Sequence, residues 1–242
     1  MYKLEMHLHV KGTSHCAETD EKTIAELYKS HGYDGIVYTS HYNSYLAEEY
    51  YGSKTDCEKY NENFVAHYLT LKKECEKVGI DVFFGMESMP DCMSYYEPVP
   101  DKAELLIYGV TPDFVLGGGE KIFKTSHKEL YELCLEKGWI LSQSHPFRTM
   151  INYRNPEYLN GVEAFNGHPG QSNDNEKALE FAKKYNLIET AGSDFHRPEH
   201  IGTGVFLERR PENEADLVSE LKKRKHKLFT KNGEIIIDST RL

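Results

Sequence analysis

The chain has no run approaching the roughly 18 uninterrupted apolar residues of a membrane span. Its opening residues, MYKLEMHLHV, contain no apolar core followed by a small-residue cleavage site. No membrane partner is therefore expected, and a cytoplasmic location is. Cysteine is sparse: residues 16, 57, 75, 92 and 134 are an odd, scattered set without a C-x-x-C pair. That pattern supports neither a disulfide framework nor a zinc ribbon, and fits a reducing compartment. Positive charge is short as well, with 29 Lys and Arg against 39 Asp and Glu and a net charge of -10. This balance argues against a nucleic-acid polymer or an anionic membrane as partner. No Pro/Ser-rich linker or internal repeat divides the chain, so residues 1–242 read as one domain. What remains is an ordinary globular composition, with 39% hydrophobic residues and 17 Tyr to build a core.

Periodicity predicts alternating elements. Ile24, Leu27, Tyr28 and His31 recur at helical spacing between Asp20 and Gly32. Residues 35–39 read as a strand. A capping box at Thr55 and Glu58 opens a long helix with Tyr60, Phe64, Tyr68, Leu71, Cys75 and Val78 on one face, ending at Gly79. Strands follow at 82–85, 105–109, 139–142, 161–165, 187–191 and 205–207. Helices start at Ser126, near Asn173 and at Asn213, and a short pair closes the chain around Leu228 and Ile235. The alternation predicts an α/β fold with a parallel sheet, and the number of units favours a closed barrel. The segment 88–103, with Met89, Pro90, Pro98 and Pro100, reads as an insertion able to act as a lid over the barrel mouth. The basic run 222–227 reads as a solvated helix face, and Gly117 to Gly119 as a flexible connection.

His7 and His9 stand at i and i+2 on the first strand, so both side chains point to one face. Alone, such a pair fits two satisfied histidines equally well. The pattern recurs, however: His41, Glu87, His145 and the pair Asp194 and His196 each follow an apolar strand. In a parallel barrel all strand C-termini share one face, which would bring these side chains to a single mouth. Gathering five imidazoles and two carboxylates there without a cation would leave buried groups unpaired, at about 1 kcal/mol or more each. Seven ligands exceed one site with an open position, so at least two metals bridged by a carboxylate are expected. The mixed His and carboxylate set suits Zn, Mn or Fe better than Ca or Mg.

In order and spacing, His7-Leu8-His9, Thr39-Ser40-His41, Gly85-Met86-Glu87, Ser144-His145-Pro146 and Gly192-Ser193-Asp194-Phe195-His196 resemble the motifs of the polymerase and histidinol phosphatase (PHP) superfamily. The resemblance spans about residues 1–206. It implies a distorted (β/α)7 TIM-like barrel with a two- or three-metal cluster that hydrolyses phosphate esters. It also implies that His7, His9, Glu87 and Asp194 surround one metal, with Glu87 bridging to a second that takes His145. His41 and His196 would hold a third. Family members often add one more His a few residues past the His-x-His, and His15 stands at that offset, with Cys16 read as a bystander. One departure is clear: where trimetallic members carry a His at the start of the strand after the Glu, this chain has Glu104-Leu105-Leu106. The second metal would then be weaker, use Glu104, or be absent.

Two metals can activate a water and neutralise phosphoryl oxygens, so no protein nucleophile is needed. Arg148 is the first candidate for a substrate clamp, since a guanidinium fork matches phosphate oxygens. His168 is a candidate to protonate the leaving oxygen or bind substrate. Glu163, with Asn166 after it, reads as a partner that orients a ligating His. Arg197 reads as a surface ion pair with Glu199. The expected function is hydrolysis of a small phosphomonoester, with histidinol phosphate and a nucleotide both open. The alternatives are a non-catalytic metal-stabilised module and a nucleotide or oligonucleotide phosphodiesterase.

Overall fold

The computed structural model describes residues 1–94 and 102–238, so the centre of the expected lid, residues 95–101, lies outside the described residues. The chain opens with β1 (Tyr2–Leu8), whose residues are buried almost throughout. Asp20 then caps α1 (Glu21–Ser30) by accepting from the Thr23 amide. Next come β2 (Gly35–Tyr38), the two-residue β3 (His41–Tyr42), and α2 (Ser44–Tyr51), which the periodicity did not single out. The capping box expected at Thr55 and Glu58 does not form. The amides of Thr55 and Asp56 bond to Ser53 Oγ instead, and α3 (Glu58–Val78) begins three residues later behind Cys57.

The order continues through β4 (Asp81–Ser88), β5 (Leu105–Tyr108), α4 (Pro112–Leu116), α5 (His127–Lys137) and β6 (Ile140–Gln143). The expected box between Ser126 and Glu129 is present at the start of α5. The remaining elements are β7 (Gly161–Asn166), α6 (Asn175–Tyr185), β8 (Ile188–Gly192), β9 (Gly204–Leu207), α7 (Glu214–Lys222), β10 (Lys227–Phe229) and β11 (Ile235–Asp238).

The strands form one nearly closed sheet in the order β11-β10-β9-β1-β2-β4-β5-β6-β7-β8, with β3 beside β4. A parallel bridge from Leu8 to Phe195, just past β8, brings the far edge back to β1. The ring therefore consists of β1, β2, β4, β5, β6, β7 and β8, a distorted seven-stranded barrel as the resemblance implies. It departs from a fully parallel barrel at β5, which is antiparallel to both β4 and β6, and at β9, which is antiparallel to β1. Because β5 is reversed, its first residue, Leu105, pairs with Ser88 at the end of β4. The start of β5, and not its end, thus reaches the mouth.

Aromatic packing holds the wall behind β2 and β4. Phe64 of α3 meets Tyr38 at 5.1 Å and stands edge-on to Phe84 at 5.8 Å. The seam between β8 and β1 needs Gly192, where a Cβ would come within 2.3 Å of His7 Cβ and 2.8 Å of its backbone nitrogen. No helix among the described residues is long and apolar enough to cross a membrane.

Candidate metal centre

The barrel delivers its polar side chains by different backbone devices. His7 comes from β1, and His9 is fixed by the Phe195 carbonyl, which accepts from the His9 amide at 2.9 Å. The Phe195 amide in turn donates to the His7 carbonyl at 3.0 Å. Asp194 and His196 flank Phe195, so this bridge presents them beside the two histidines. β3 pairs His41 directly with Glu87 of β4. His145 follows β6, and both His145 (φ 29°) and Asp194 (φ 49°) hold left-handed backbone conformations that non-glycine residues seldom adopt.

The ligand atoms meet closely. His7 Nε2 stands 3.0 Å from His9 Nε2, 3.3 Å from Glu87 Oε1 and 3.5 Å from Asp194 Oδ1. His9 Nε2 lies 3.4 Å from Asp194 Oδ1 and 3.5 Å from Glu87 Oε2. His145 Nε2 is 3.4 Å from the same Glu87 Oε1 that His7 approaches, and His41 Nδ1 is 3.0 Å from Oε2. Metal bonds of about 2.0–2.2 Å put neighbouring ligand atoms roughly 3–3.5 Å apart, which is the spacing seen here. Both Glu87 carboxylate oxygens are buried without a hydrogen-bond partner, as are His9 Nδ1 and His145 Nδ1. A buried, unpartnered carboxylate among four imidazoles fits a divalent cation well.

Glu104 joins the cluster, 3.5 Å from His145 Nε2 and 3.8 Å from His41 Nδ1. It stands at the start of β5, where a His was missing from the expected pattern. His15 does not join. Its imidazole is 62% exposed, 2.8 Å from Glu49 Oε1 and 3.0 Å from the Tyr50 hydroxyl of α2. The next residue, Cys16, lines the same cavity as His41 and His196, with its Sγ 3.1 Å from Ser14 Oγ. The structure thus places the His15 imidazole outside the cluster.

Charge follows the geometry. Burial opposes ionisation of Glu87, yet the imidazoles of His7, His145 and His41 hold its carboxyl well below the usual range. Asp194 behaves alike, with His7 and Arg148 outweighing burial. Burial likewise opposes a charge on His7, but Glu163, Glu87 and Asp194 raise it well above the ordinary imidazole value. His9 is pushed well below that value by burial and by His196 and His41. Burial and the nearby Glu87 raise Glu104. Burial opposes a thiolate at Cys16, but His41 and His196 bring it down to about 5.

Partners outside the cluster hold it in place. His7 Nδ1 meets Glu163 Oε1 at 2.9 Å, which directs Nε2 to the centre. The other Glu163 oxygen accepts from the His145 amide and from Asn166 Nδ2. Glu5, wholly buried, accepts from the amides of Met6, His7 and Ser193 and from the Tyr28 hydroxyl. Nothing in the sequence pattern distinguishes it from an exposed Glu, and only the register shift in β1 between Glu5 and Leu8 explains why those amides need it.

A cavity of about 710 Å³ opens over the cluster, lined by His41, Glu87, Glu104, His145, Arg148 and His168 among others. Arg148 donates from Nε to Asn173 at 2.8 Å and from Nη2 to Asn166 at 3.1 Å and to Asp194. His168 Nδ1 accepts from the Gly170 amide at 3.1 Å, so its proton sits on Nε2. Burial, with Arg148 and nearby histidines, brings it down to about 4. Arg197 is exposed and pairs with Glu18, not with Glu199.

Residues 172–226 match the family described as PHP-associated. No curated protein matches the chain in sequence. Among solved structures it is similar to a two-domain protein from Bacteroides vulgatus containing a predicted PHP-like metal-dependent phosphoesterase. There the TM-score is 0.61 at 15% identity, over 95% of this chain and 64% of the other, so the chain spans less than two thirds of that protein. It is also similar to the lesion-specific endonuclease PfuEndoQ from Pyrococcus furiosus, with TM-score 0.62 and 13% identity over 94% of this chain and 57% of that one. A third is an amidohydrolase from Chromobacterium violaceum with bound sulfate, with TM-score 0.56 and 13% identity over 95% and 98% of the two chains. At these identities the likeness is one of fold.

Proposed function

We propose that this chain is a member of the PHP superfamily and a metal-dependent phosphoesterase hydrolysing a small phosphomonoester, a reading supported by the PHP-associated match over residues 172–226 and by the likeness in fold. The observation that carries the reading is the Glu87 carboxylate, buried with both oxygens unpartnered among ligand-type side chains. His7, Glu87 and His145 form one close group, His41, Glu87 and Glu104 a second, and His7, His9 and Asp194 a third. Such a centre suits two divalent ions, with Zn, Mn and Fe matching the donors. Bound there, the ions would lower the pKa of a water and neutralise charge on the phosphoryl oxygens.

The remaining steps belong to the chain's own residues. Glu163 fixes His7 with Nε2 toward the centre, and Arg148 fixes Asp194. With Nε and Nη2 already engaged, Arg148 meets a phosphate through the rest of its guanidinium, as a single cationic contact and not a two-pronged fork. His168 is neutral at physiological pH with its proton on Nε2, so it serves as a hydrogen-bond donor to substrate. With its pKa held at about 4, it is not the imidazolium that a general acid requires at neutral pH. The cavity volume suits a metabolite-sized ester. The net charge of -10 favours such a substrate over a nucleic-acid polymer.

The test is elemental analysis before and after reconstitution with Mn or Zn, followed by phosphate release from a panel of phosphomonoesters with single-stranded DNA as competitor. Metal-dependent release that DNA does not inhibit is the expected result. Cleavage of DNA in preference to every monoester would favour the endonuclease reading that the likeness to PfuEndoQ raises. Full metal loading with no hydrolysis would favour a structural module.

A further inference from the structure

We propose that His168 and His200 form a donor-only subsite beside His196, reading a carboxylate on the alcohol part of the phosphomonoester and rejecting a protonated amine there. The inference rests on the function proposed above and deepens it by naming the substrate class. Both residues line the cavity over the Glu87 centre. Their rings meet edge to face with centroids 4.2 Å apart, and stand 5.8 Å and 6.1 Å from the ring of His196. One nitrogen from each of the three imidazoles lies within 4.8 Å of the others, a spacing that a metal ion could bridge. Their hydrogen bonds set them apart. His196 Nδ1 is 2.8 Å from the Asp194 carbonyl, which accepts its proton and leaves Nε2 bare. His168 Nδ1 instead accepts from the Gly170 amide at 3.1 Å, and His200 Nδ1 from the His196 amide at 3.3 Å.

An amide nitrogen only donates, so each of these two Nδ1 atoms holds a lone pair and the ring proton sits on Nε2. A metal bound at Nε2 would need that proton moved to Nδ1, where an amide already points. His168 and His200 are therefore N–H donors and not ligands. Two donors with no acceptor between them hold an oxygen-bearing group and repel an ammonium, which has a positive charge and no lone pair. Arg148 is paired with Asp194 and Arg197 with Glu18, and Glu199 lines the same cavity. A second phosphate would bring two charges against arginines already engaged, whereas the two oxygens of a carboxylate match the two N–H groups. Histidinol phosphate, whose alcohol part carries an amine, is a poor fit.

The experiment compares kcat/KM of the metal-loaded full chain on phosphoglycolate, ethyl phosphate, phosphoethanolamine and ethanediol bisphosphate, which differ at the far end of a two-carbon alcohol. Phosphoglycolate should exceed ethyl phosphate by about tenfold or more, and phosphoethanolamine should fall below it. In His200→Phe and in His168→Phe that preference should shrink to about twofold or less, and His200→Gln, which keeps an N–H donor, should restore part of it. A second measurement needs no turnover. Nitrogen NMR of the Zn-loaded chain with isotope-labelled histidine should show a bare Nδ1 in His168 and His200, and phosphonoacetate should shift their Nε2 signals where ethylphosphonate does not. Equal rates on phosphoglycolate and ethyl phosphate, a preference for the amine or the bisphosphate, an unchanged preference in both phenylalanine variants, or a proton on Nδ1 of either ring would each overturn the proposal. Metal-loaded chain that hydrolyses no monoester would instead defeat the parent reading, and the NMR arm would still decide the subsite.

Discussion

Replacing Glu5 by alanine removes the acceptor for four buried donors at once. Its Oε1 takes the amides of Met6 at 3.0 Å, His7 at 2.9 Å and Ser193 at 2.8 Å, and its Oε2 takes the Tyr28 hydroxyl at 2.9 Å. The register shift in β1 puts a bulge at this point, and the Glu5 carboxylate satisfies the amides there. Each orphaned donor costs about 1–3 kcal/mol, or about 8 kcal/mol for four at the middle of that range. Part of this is offset, because burial pushes the Glu5 carboxyl up from 4.5 to about 7, and at neutral pH and above the folded state carries that penalty. A shift of that size is worth about 3 kcal/mol, which leaves a net loss of about 4–5 kcal/mol for Glu5→Ala, in line with removing one partner of a buried charged network. Glu5→Gln keeps the oxygen that serves the three amides and offers an NH2 to the Tyr28 oxygen, so its cost should stay near 1 kcal/mol. The pH dependence has a definite sign. With the folded pKa raised above the unfolded one, the wild type loses stability as pH rises from about 4.5 through 7. The glutamine variant lacks this slope, so it gains on the wild type over that window. Urea denaturation of chelated protein, followed by circular dichroism at pH 5 and pH 8, measures both effects. The reasoning is refuted by an alanine variant that loses under about 1.5 kcal/mol, or by a glutamine variant as unstable as the alanine one.

Glu87→Gln should abolish hydrolysis and strip metal, and should also destabilise the metal-free protein at neutral pH, because His7, His145 and His41 lose the buried carboxylate that they hold ionised; a metal-free melt at or above that of wild type would contradict this. Arg148→Ala should cost about 10- to 100-fold in kcat/KM for a phosphomonoester, the worth of one charged hydrogen bond, and unchanged kinetics would remove Arg148 from the site. His127, buried edge-on to Tyr158, is held down at about 4 by burial and by Arg154. A depressed histidine must gain a proton on unfolding, so stability should fall as pH drops from 6.5 to 4, by at most about 3 kcal/mol. His127→Gln should flatten that limb of the curve, and an unaltered acid limb would count against the assignment.

The strand-end ligands were legible because a parallel strand carries its C-terminal residue to the mouth, and β1, β4, β6 and β8 obey that rule. His7, His9, Glu87, His145, Asp194 and His196 therefore arrive where their spacing predicts. Glu104 escaped the same rule for a physical reason. It precedes its strand, and only the reversal of β5 between two antiparallel neighbours turns the start of that strand toward the metals. A run such as Leu105-Leu106-Ile107-Tyr108, buried on both faces, carries no mark of direction in its composition. The helix at Thr55 failed similarly, because Ser53 takes the Thr55 amide that the Glu58 carboxylate of a capping box would have needed.

His15 marks a different limit. Spacing from the His-x-His says which stretch of loop passes the mouth, but not where the His15 imidazole points. After a strand that choice rests on loop torsion, here on the turn at Gly12 (φ +93°), where a Cβ would come within 2.9 Å of the His67 ring. Once the turn is made, α2 provides Glu49 and Tyr50 to engage His15 from outside. Removing that anchor separates the two causes. If loop torsion alone orients His15, Glu49→Ala with Tyr50→Phe leaves metal stoichiometry and affinity unchanged. If the anchor holds the orientation, His15 is released toward the cavity it borders and metal binding tightens, even though neither substituted side chain belongs to the cluster.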